Sequence, residues 1–338
     1  VSEPTRATPE EPARVTAQRA PSEGSGSISP EARRDFAVVV PAFNEAPVVP
    51  DLIRELRETF EREGLEGEVL LVDDGSTDGT AELARREGDG WKSLRVLKHH
   101  TNLGKTEALL TAARATDRRI LVLFDADLQH STDEIPRFLA KASEGWDIVC
   151  GRKVGAYDKR VISSIYNRLS RRMFKVPVSD LNSIKAFRAE ILDEIQLRHD
   201  WHRFFVVLAH ARGFSATEID VELHPRRAGE SKYSGQLRVV GGMVDLLSVW
   251  FLLIFSRKPL LLFGTIGGVL IAAGLVVGIA ALYLRFFHGF GFRPFLYLVI
   301  LLETVGVTLF VAGLLAEMVA QLREEVDTLR QRGRSKGP

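Results

Sequence analysis

The residues best suited to chemistry are acids that end apolar runs. Asp125-Ala126-Asp127 closes the run Ile120–Asp125 (ILVLFD). Carboxylates at i and i+2 leave an extended chain on the same side, so both can face one ligand. Hard divalent ions such as Mg2+ or Mn2+ take oxygen ligands, commonly one or two carboxylates completed by phosphate oxygens. Gln129, two residues further on, adds a carbonyl oxygen to that set. The plainer alternative is a solvated turn whose acids help to start a helix near Asp133, and an isolated Asp-x-Asp is usually that.

Three other motifs have the same character. Asp73-Asp74-Gly75-Ser76-Thr77-Asp78-Gly79-Thr80 ends a second apolar run. Gly75 permits a turn, and Ser76, Thr77 or Asp78 can cap a helix carrying Ala81 and Leu83. Capping does not require two adjacent acids, whereas a carboxylate at a strand end can accept hydrogen bonds from a nucleobase. A purely structural turn is the alternative. Pro41-Ala42-Phe43-Asn44-Glu45 offers an aromatic, an amide and a carboxylate after a third run. Asn102-Leu103-Gly104-Lys105 precedes a helical stretch, where free N–H groups and a lysine can meet phosphate; alone, it is equally a helix cap.

Such residues need a scaffold that brings them together. Phe36–Pro41, Val69–Asp73, Leu94–Leu97, Ile120–Asp125 and Ile148–Gly151 read as buried strands. Helical patterns lie between them, the clearest being Val49, Leu52, Ile53, Leu56 and Phe60 at i, i+3, i+4 and i+7. Wholly apolar strands separated by helices predict an α/β domain with a mostly parallel sheet covered on both faces. Ligands of such sheets bind beyond the carboxyl ends of the strands, where all four motifs fall.

The chain has 338 residues, a net charge of +1 and one cysteine. A near-neutral balance argues against a nucleic-acid partner. Cys150 alone builds neither an internal disulfide nor a thiolate metal site, and suits a reducing compartment. Residues 1–34, rich in Pro, Ser, Glu, Gly and Arg, are expected to be disordered. No apolar core follows the early charges, so a secretory leader is not expected. A catalytic domain over 35–235 follows. Residues 236–256 are apolar but carry Arg238 and Asp245, which suits an interfacial amphipathic helix. Residues 257–320 hold two transmembrane helices, the first an uncharged run of 25 residues, Leu260–Leu284. At 1.5 Å per residue it reaches about 37 Å, enough to cross a ~30 Å hydrocarbon core. The second runs from Pro294 to about Met318, with Glu303 inside it. The short link makes them a hairpin, and residues 321–338 a tail.

Basic residues at the hairpin's open end (Arg238, Arg257, Lys258, Arg323, Arg330) outnumber Arg285 and Arg293 in its turn. That places the catalytic domain and both termini in the cytoplasm. Gly264/Gly268 and Gly274/Gly278 form two GxxxG patterns, which allow close helix approach within one chain or between copies as a homo-oligomer. Glu303, costly in contact with lipid, is expected to face that packing or to be protonated.

Together PAFNE, DDGSTDGT, NLGK and DADLQH resemble glycosyltransferase family 2, in particular its dolichyl-phosphate mannose synthases and bacterial polyprenyl-phosphate glycosyltransferases. The likeness covers Phe36 to about Ser234 and extends into the hairpin. It implies a GT-A fold and inverting transfer of a hexose from a nucleotide-sugar of the GDP-mannose or UDP-glucose type to a polyprenyl or dolichyl phosphate. Pro41, Phe43, Glu45, Val72 and Asp74 would line the nucleoside. Asp125, Ala126 and Asp127 would hold the diphosphate, with Mg2+ or Mn2+ at Asp125, Asp127 and Gln129. Lys105 is a candidate donor-phosphate contact on the physical grounds above. His224–Tyr233 resembles the family's RxxGxSKY loop, and Gly151-Arg152 its arginine after the fifth strand. By that likeness Arg152, Arg226 and Lys232 would bind donor diphosphate or acceptor phosphate, with Asp127, Arg226 and Lys232 catalytic. Cations there would suppress the repulsion of two phosphate groups that must meet. Asp180–Arg188 resembles the family's acidic segment but has Ile184 where a glycine is expected.

Two other readings compete. A processive polysaccharide synthase would carry a QxxRW motif; Gln196–Trp201 is similar but lacks the arginine, and two spans are few for a polymer channel. A non-catalytic membrane scaffold would be expected to lose acids at the metal site, and these are all present.

Overall fold

All five apolar runs form strands: β1 (Phe36–Ala42), β2 (Glu68–Asp73), β3 (Leu94–Lys98), β4 (Ile120–Leu123) and β5 (Ile148–Val154). The computed structural model describes residues 27–154, 176–195, 197, 201–225, 259–289 and 293–334. It divides into two units, Val1–Ser234 and Gly235–Pro338.

In the first unit two further strands, β6 (Lys185–Arg188) and β7 (Ala216–Glu222), complete a seven-stranded sheet in the order β3-β2-β1-β4-β6-β5-β7. Strand β1 pairs in parallel with β2 and β4, and β2 with β3. Strand β6 runs antiparallel between β4 and β5, with Lys185 opposite both Leu123 and Cys150. That reversal delivers the segment before β6 to the edge where the parallel strands end. Strand β4 stops at Leu123, two residues short of the expected Asp125, although the Phe124 N–H still donates to Val39 O at 2.9 Å. Strand β5 runs on to Val154 because β7 pairs with it along that whole length.

Helix α1 (Val49–Glu63) buries the expected stripe of Val49, Leu52, Ile53, Leu56 and Phe60 against the sheet. Each large apolar side chain so buried contributes about 1.5–3 kcal/mol. The helix ends at Gly64, whose φ of 60° favours glycine. Helices α2 (Thr80–Glu87), α3 (Lys105–Arg114) and α4 (Glu134–Ser143) follow β2, β3 and β4, and two short ones, α5 (Ile191–Glu194) and α6 (Phe205–Ala211), lie between β6 and β7.

For residues 27–34 the expectation of disorder is corrected. Ser29 N–H donates to Ser143 Oγ at 3.3 Å, Ala32 is buried, and Arg119 pairs with Glu31 and Asp35. Long-range contacts that composition does not report order this turn. Residues 1–26 lie outside the described residues, as does the expected interfacial helix at 236–256.

The second unit holds helices α7 (Pro259–His288) and α8 (Arg293–Arg334). Pro259–His288 and Arg293–Leu322 are long and apolar enough to cross a membrane. Large apolar side chains such as Leu261, Val269, Phe286 and Leu301 point outward. The tail expected from residue 321 is helical as far as Arg334, because the polar stretch is built of good helix formers and meets no glycine before Gly333.

Glycines set how closely the two helices pack. A Cβ on Gly267 would lie 2.6 Å from Gly306 O, and one on Gly313 would lie 3.1 Å from Gly264 N. A Cβ on Gly274 would lie 2.6 Å from Glu303 Oε1, so Glu303 does face the packing. Nothing lies within 4 Å of a Cβ on Gly268. The seam therefore alternates steps of three and four residues through Gly264, Gly267, Ile271, Gly274 and Gly278, and the Gly264/Gly268 pattern does not face it as a pair.

Candidate active site

The carboxyl ends of β1, β2 and β4 reach one edge of the sheet, and their loops interlock there. Asn44 adopts φ 52°, and its N–H donates to Ser76 Oγ at 2.8 Å while its Oδ1 accepts from Thr77 N–H at 2.9 Å. Glu45 N–H donates to Thr80 Oγ1 at 3.0 Å, and Ala46 N–H to Asp78 Oδ2 at 3.0 Å. Ser76 to Thr80 thus hold the PAFNE loop, a task beyond the capping expected of them. Pro41, Phe43 and Glu45 are half-buried along that loop.

Asp73 is fully buried and its Oδ1 accepts from Ser76 N–H at 2.9 Å, with Lys98 Nζ 3.8 Å from its other oxygen. Asp74 is 4% exposed. Its Oδ1 bonds His99 Nδ1 at 2.8 Å and accepts from Leu103 N–H at 2.9 Å, and its Oδ2 accepts from Gly104 N–H at 2.7 Å. His99 Nε2 continues the chain to Thr111 Oγ1 at 2.9 Å. Asp74, expected at the nucleoside, also organises the NLGK loop, and Val72 is buried in the core. The loop enters α3 through Gly104 at φ 89° and places Lys105 on Asp125, with which it forms an ion pair.

Asp125 and Asp127 are half-buried on either side of the buried Ala126. Gln129 N–H donates to Asp127 Oδ1 at 3.2 Å around Leu128, whose φ is 52°. Burial opposes the charge on Asp125. The charge and hydrogen bond of Lys105 outweigh it and hold the carboxyl well below the usual carboxylate range. Behind it lies a layer the sequence did not reveal. Lys185 is 2% exposed, and burial pulls its pKa down to about 8. His130 is buried with Nδ1 unpartnered, and burial lowers its pKa against the opposing field of Asp125. Lys153 Nζ stands 3.6 Å from Asp180 Oδ2 and donates to Asn182 O at 3.2 Å. The missing glycine at 184 is accommodated by Gly151, where a Cβ would lie 3.0 Å from Ile184 Cγ2. A lysine in the run Ile184–Phe187 (IKAF) was the available signal for Lys185. Cys150, next to it across the sheet, is buried and its thiol is pushed up to about 12 by that burial.

Arg152 lies at the end of β5, where Nε meets Asp220 Oδ1 at 2.5 Å and a guanidinium nitrogen meets Glu218 Oε1 at 3.3 Å. Glu218 also accepts from Ser179 N–H at 2.6 Å and Ser179 Oγ–H at 2.8 Å. Arg226 and Lys232 lie outside the described residues. Carboxylates and an amide are hard oxygen donors and suit Mg2+ or Mn2+. Among the described residues no group of three or more His, Cys, Asp or Glu could enclose a metal. An ion at Asp125, Asp127 and Gln129 would complete its shell with water or substrate oxygens.

The pattern of Glycosyl transferase family 2 matches residues 37–215, more than half of the chain. This chain belongs to glycosyltransferase family 2. The glycosyltransferase is 31% identical over 303 residues to the undecaprenyl-phosphate 4-deoxy-4-formamido-L-arabinose transferase of Salmonella paratyphi B. That alignment spans 87% of this chain and 90% of the relative. The Salmonella newport protein of the same name matches with the same figures. Among solved structures, glucosyl-3-phosphoglycerate synthase from Mycobacterium tuberculosis with Mn2+, UDP and glucosyl-3-phosphoglycerate superposes with a TM-score of 0.51 at 22% identity, covering 66% of this chain and 80% of its own. The same enzyme with Mg2+ and UDP gives 0.52 at 21% identity over 66% and 79%. At that identity the likeness establishes the fold, which is GT-A: a mostly parallel, Rossmann-like sheet, here followed by two apolar helices.

Proposed function

We propose that this glycosyltransferase transfers a sugar from a nucleotide-sugar to a polyprenyl phosphate, with inversion, at a membrane that its helical hairpin spans. The observation that carries this reading is the meeting of Asp125, Asp127 and Lys105 with the PAFNE and DDGSTDGT loops at one sheet edge. It occurs in a chain whose similarity to an undecaprenyl-phosphate sugar transferase covers 87% of its length, more than the first unit alone contains.

A phosphate monoester acceptor has a second pKa of about 6 and is ionised near neutral pH, so its oxygen needs little help from a general base. The protein's task is alignment and charge. A divalent ion at Asp125, Asp127 and Gln129 would neutralise the leaving diphosphate. Lys105, at the start of α3, would reach the same phosphates. Arg152, Arg226 and Lys232 are the proposed cations for donor diphosphate and acceptor phosphate, with Asp220 and Glu218 holding Arg152 ready. The excess of basic residues flanking the hairpin supports a cytoplasmic catalytic domain.

The test is a panel of radiolabelled nucleotide-sugars offered to the purified protein with undecaprenyl phosphate. The reading expects one donor to label the lipid in an alkali-stable or acid-labile form set by its anomeric phosphodiester. No labelled lipid from any donor, with sugar passed instead to a growing polymer, would replace it with the processive alternative.

A further inference from the structure

Asp125 carries two tasks that conflict. The reading above assigns it to a divalent ion, yet its carboxylate already has a cation in Lys105. We propose that Lys105 is an exchangeable counter-cation, which neutralises Asp125 until a nucleoside diphosphate draws it away, so that the protein binds ion and diphosphate together and the ion alone poorly. This inference rests on the family reading and adds an order to it.

Three observations carry it. The first is charge. Among the described residues, Lys105, Lys153 and Lys185 face Asp125, Asp127 and Asp180 at this edge, three charges of each sign. A bare divalent ion would leave the half-buried cluster with two positive charges in excess, in surroundings where like charges repel far more than in water. A diphosphate brings the compensating negative charge.

The second is mobility. Lys153 is held by Asp180 and Asn182 O, and Lys185 is 2% exposed within the sheet. Lys105 is different: its backbone is pinned, because Asp74 binds the N–H groups of Leu103 and Gly104, but its four-carbon side chain is 27% exposed. It sits at the first residue of α3, a 10-residue helix whose leading N–H groups attract phosphate. A rotation about its own side-chain bonds moves the ammonium from carboxylate to phosphate with no change of backbone.

The third is the ligand count. Among the described residues no third carboxylate encloses the ion, which leaves coordination positions that water or phosphate would fill.

The experiment measures Mn2+ binding to the full-length protein in detergent by the electron paramagnetic resonance of the unbound ion, with and without UDP or GDP. A protein-free titration corrects for Mn2+ held by the nucleotide in solution. The expected result is a wild-type Mn2+ affinity that rises about 10-fold when the fitting nucleoside diphosphate is present. Lys105→Met should bind Mn2+ alone about 10-fold more tightly than wild type and lose most of that coupling. Lys105→Arg, which keeps the charge, should return binding of the ion alone to the weak wild-type level. Lys105→Gln serves in place of Lys105→Met if the latter unfolds, as judged by circular dichroism. The inference is overturned if neither neutral variant binds free Mn2+ more tightly, or if wild type binds it equally well without nucleotide. Failure of the wild type to bind Mn2+ under any condition is a separate result, which overturns the metal-assisted reading itself along with this inference.

Discussion

Asp127 illustrates how much a single side chain carries at this edge. It shares its loop with Asp125, and its Oδ1 accepts from Gln129 N–H. Asp127→Asn should keep the fold and lower turnover by about 10^3-fold, since support of a leaving diphosphate by an ion contributes several kcal/mol. Steady-state kinetics with circular dichroism would check it, and full activity in excess chelator would remove the ion from the mechanism. Lys185 makes a prediction of opposite kind. Its pKa falls from 10.5 to about 8, chiefly through burial. Between these values the unfolded chain binds more protons than the native one, so stability from this residue rises with pH across that window. Below pH 8 the native ammonium is charged and its full cost is present. Lys185→Met should therefore raise the thermal midpoint at pH 7 by about 2–4 °C, with the gain shrinking towards pH 10. Equal shifts at both pH values would mean that packing, not charge, separates the two proteins. The acids and Lys105 were legible because motif spacing names them; Lys185 was not, because its one signal, a lysine in the short apolar run IKAF, does not say that neighbouring strands will close over it.

At the scale of elements, periodicity was a good guide where one face is buried and a poor one where burial is shared. Helix α1 follows its apolar spacing residue by residue. Strand β6 escaped notice because its apolar character is short and its pairing is antiparallel within a parallel series. In the hairpin, glycine spacing announced close packing but not its register. The seam uses Gly267 and Gly274, while Gly268 faces away from it. A disulfide between cysteines at 278 and 299 would report the seam, since a Cβ on Gly278 lies 3.8 Å from Val299 side-chain atoms. Gly274→Leu should cut the yield of that crosslink several-fold by driving a side chain into Glu303, whereas Gly268→Leu should leave it unchanged. Equal yields from the two variants would mean that the helices do not pack along this line.

At the scale of the whole molecule, the proposed topology makes the two ends of α7 face different compartments. Cys150 gives a quiet background, because its thiol is buried and its pKa is raised to about 12. A cysteine at Glu58, exposed on α1, should react with an impermeant maleimide only in inside-out vesicles. One at His288, exposed at the end of α7, should react only in intact cells stripped of their outer membrane or wall. Labelling of both from the same side would show that the helices lie on the membrane rather than across it.

By itself the sequence determined the fold class, the order of the first five strands, the loops that bear chemistry and two helices of membrane length. Each of those is written in local pattern: apolar runs, a helical repeat, acids and glycines at strand ends. Only the tertiary structure decided what those side chains do for one another. Asp74 gained the anchoring of the Lys105 loop, Ser76 and Thr80 became clasps for PAFNE, and Gly151 the space that Ile184 requires. Those roles depend on partners 30 or more residues away in sequence for Asn44–Ser76, Glu45–Thr80 and Asp74–Gly104, with separations of 32, 35 and 30. Sheet pairing brings such partners together, and hydrogen-bond geometry then selects among them, which no local pattern encodes.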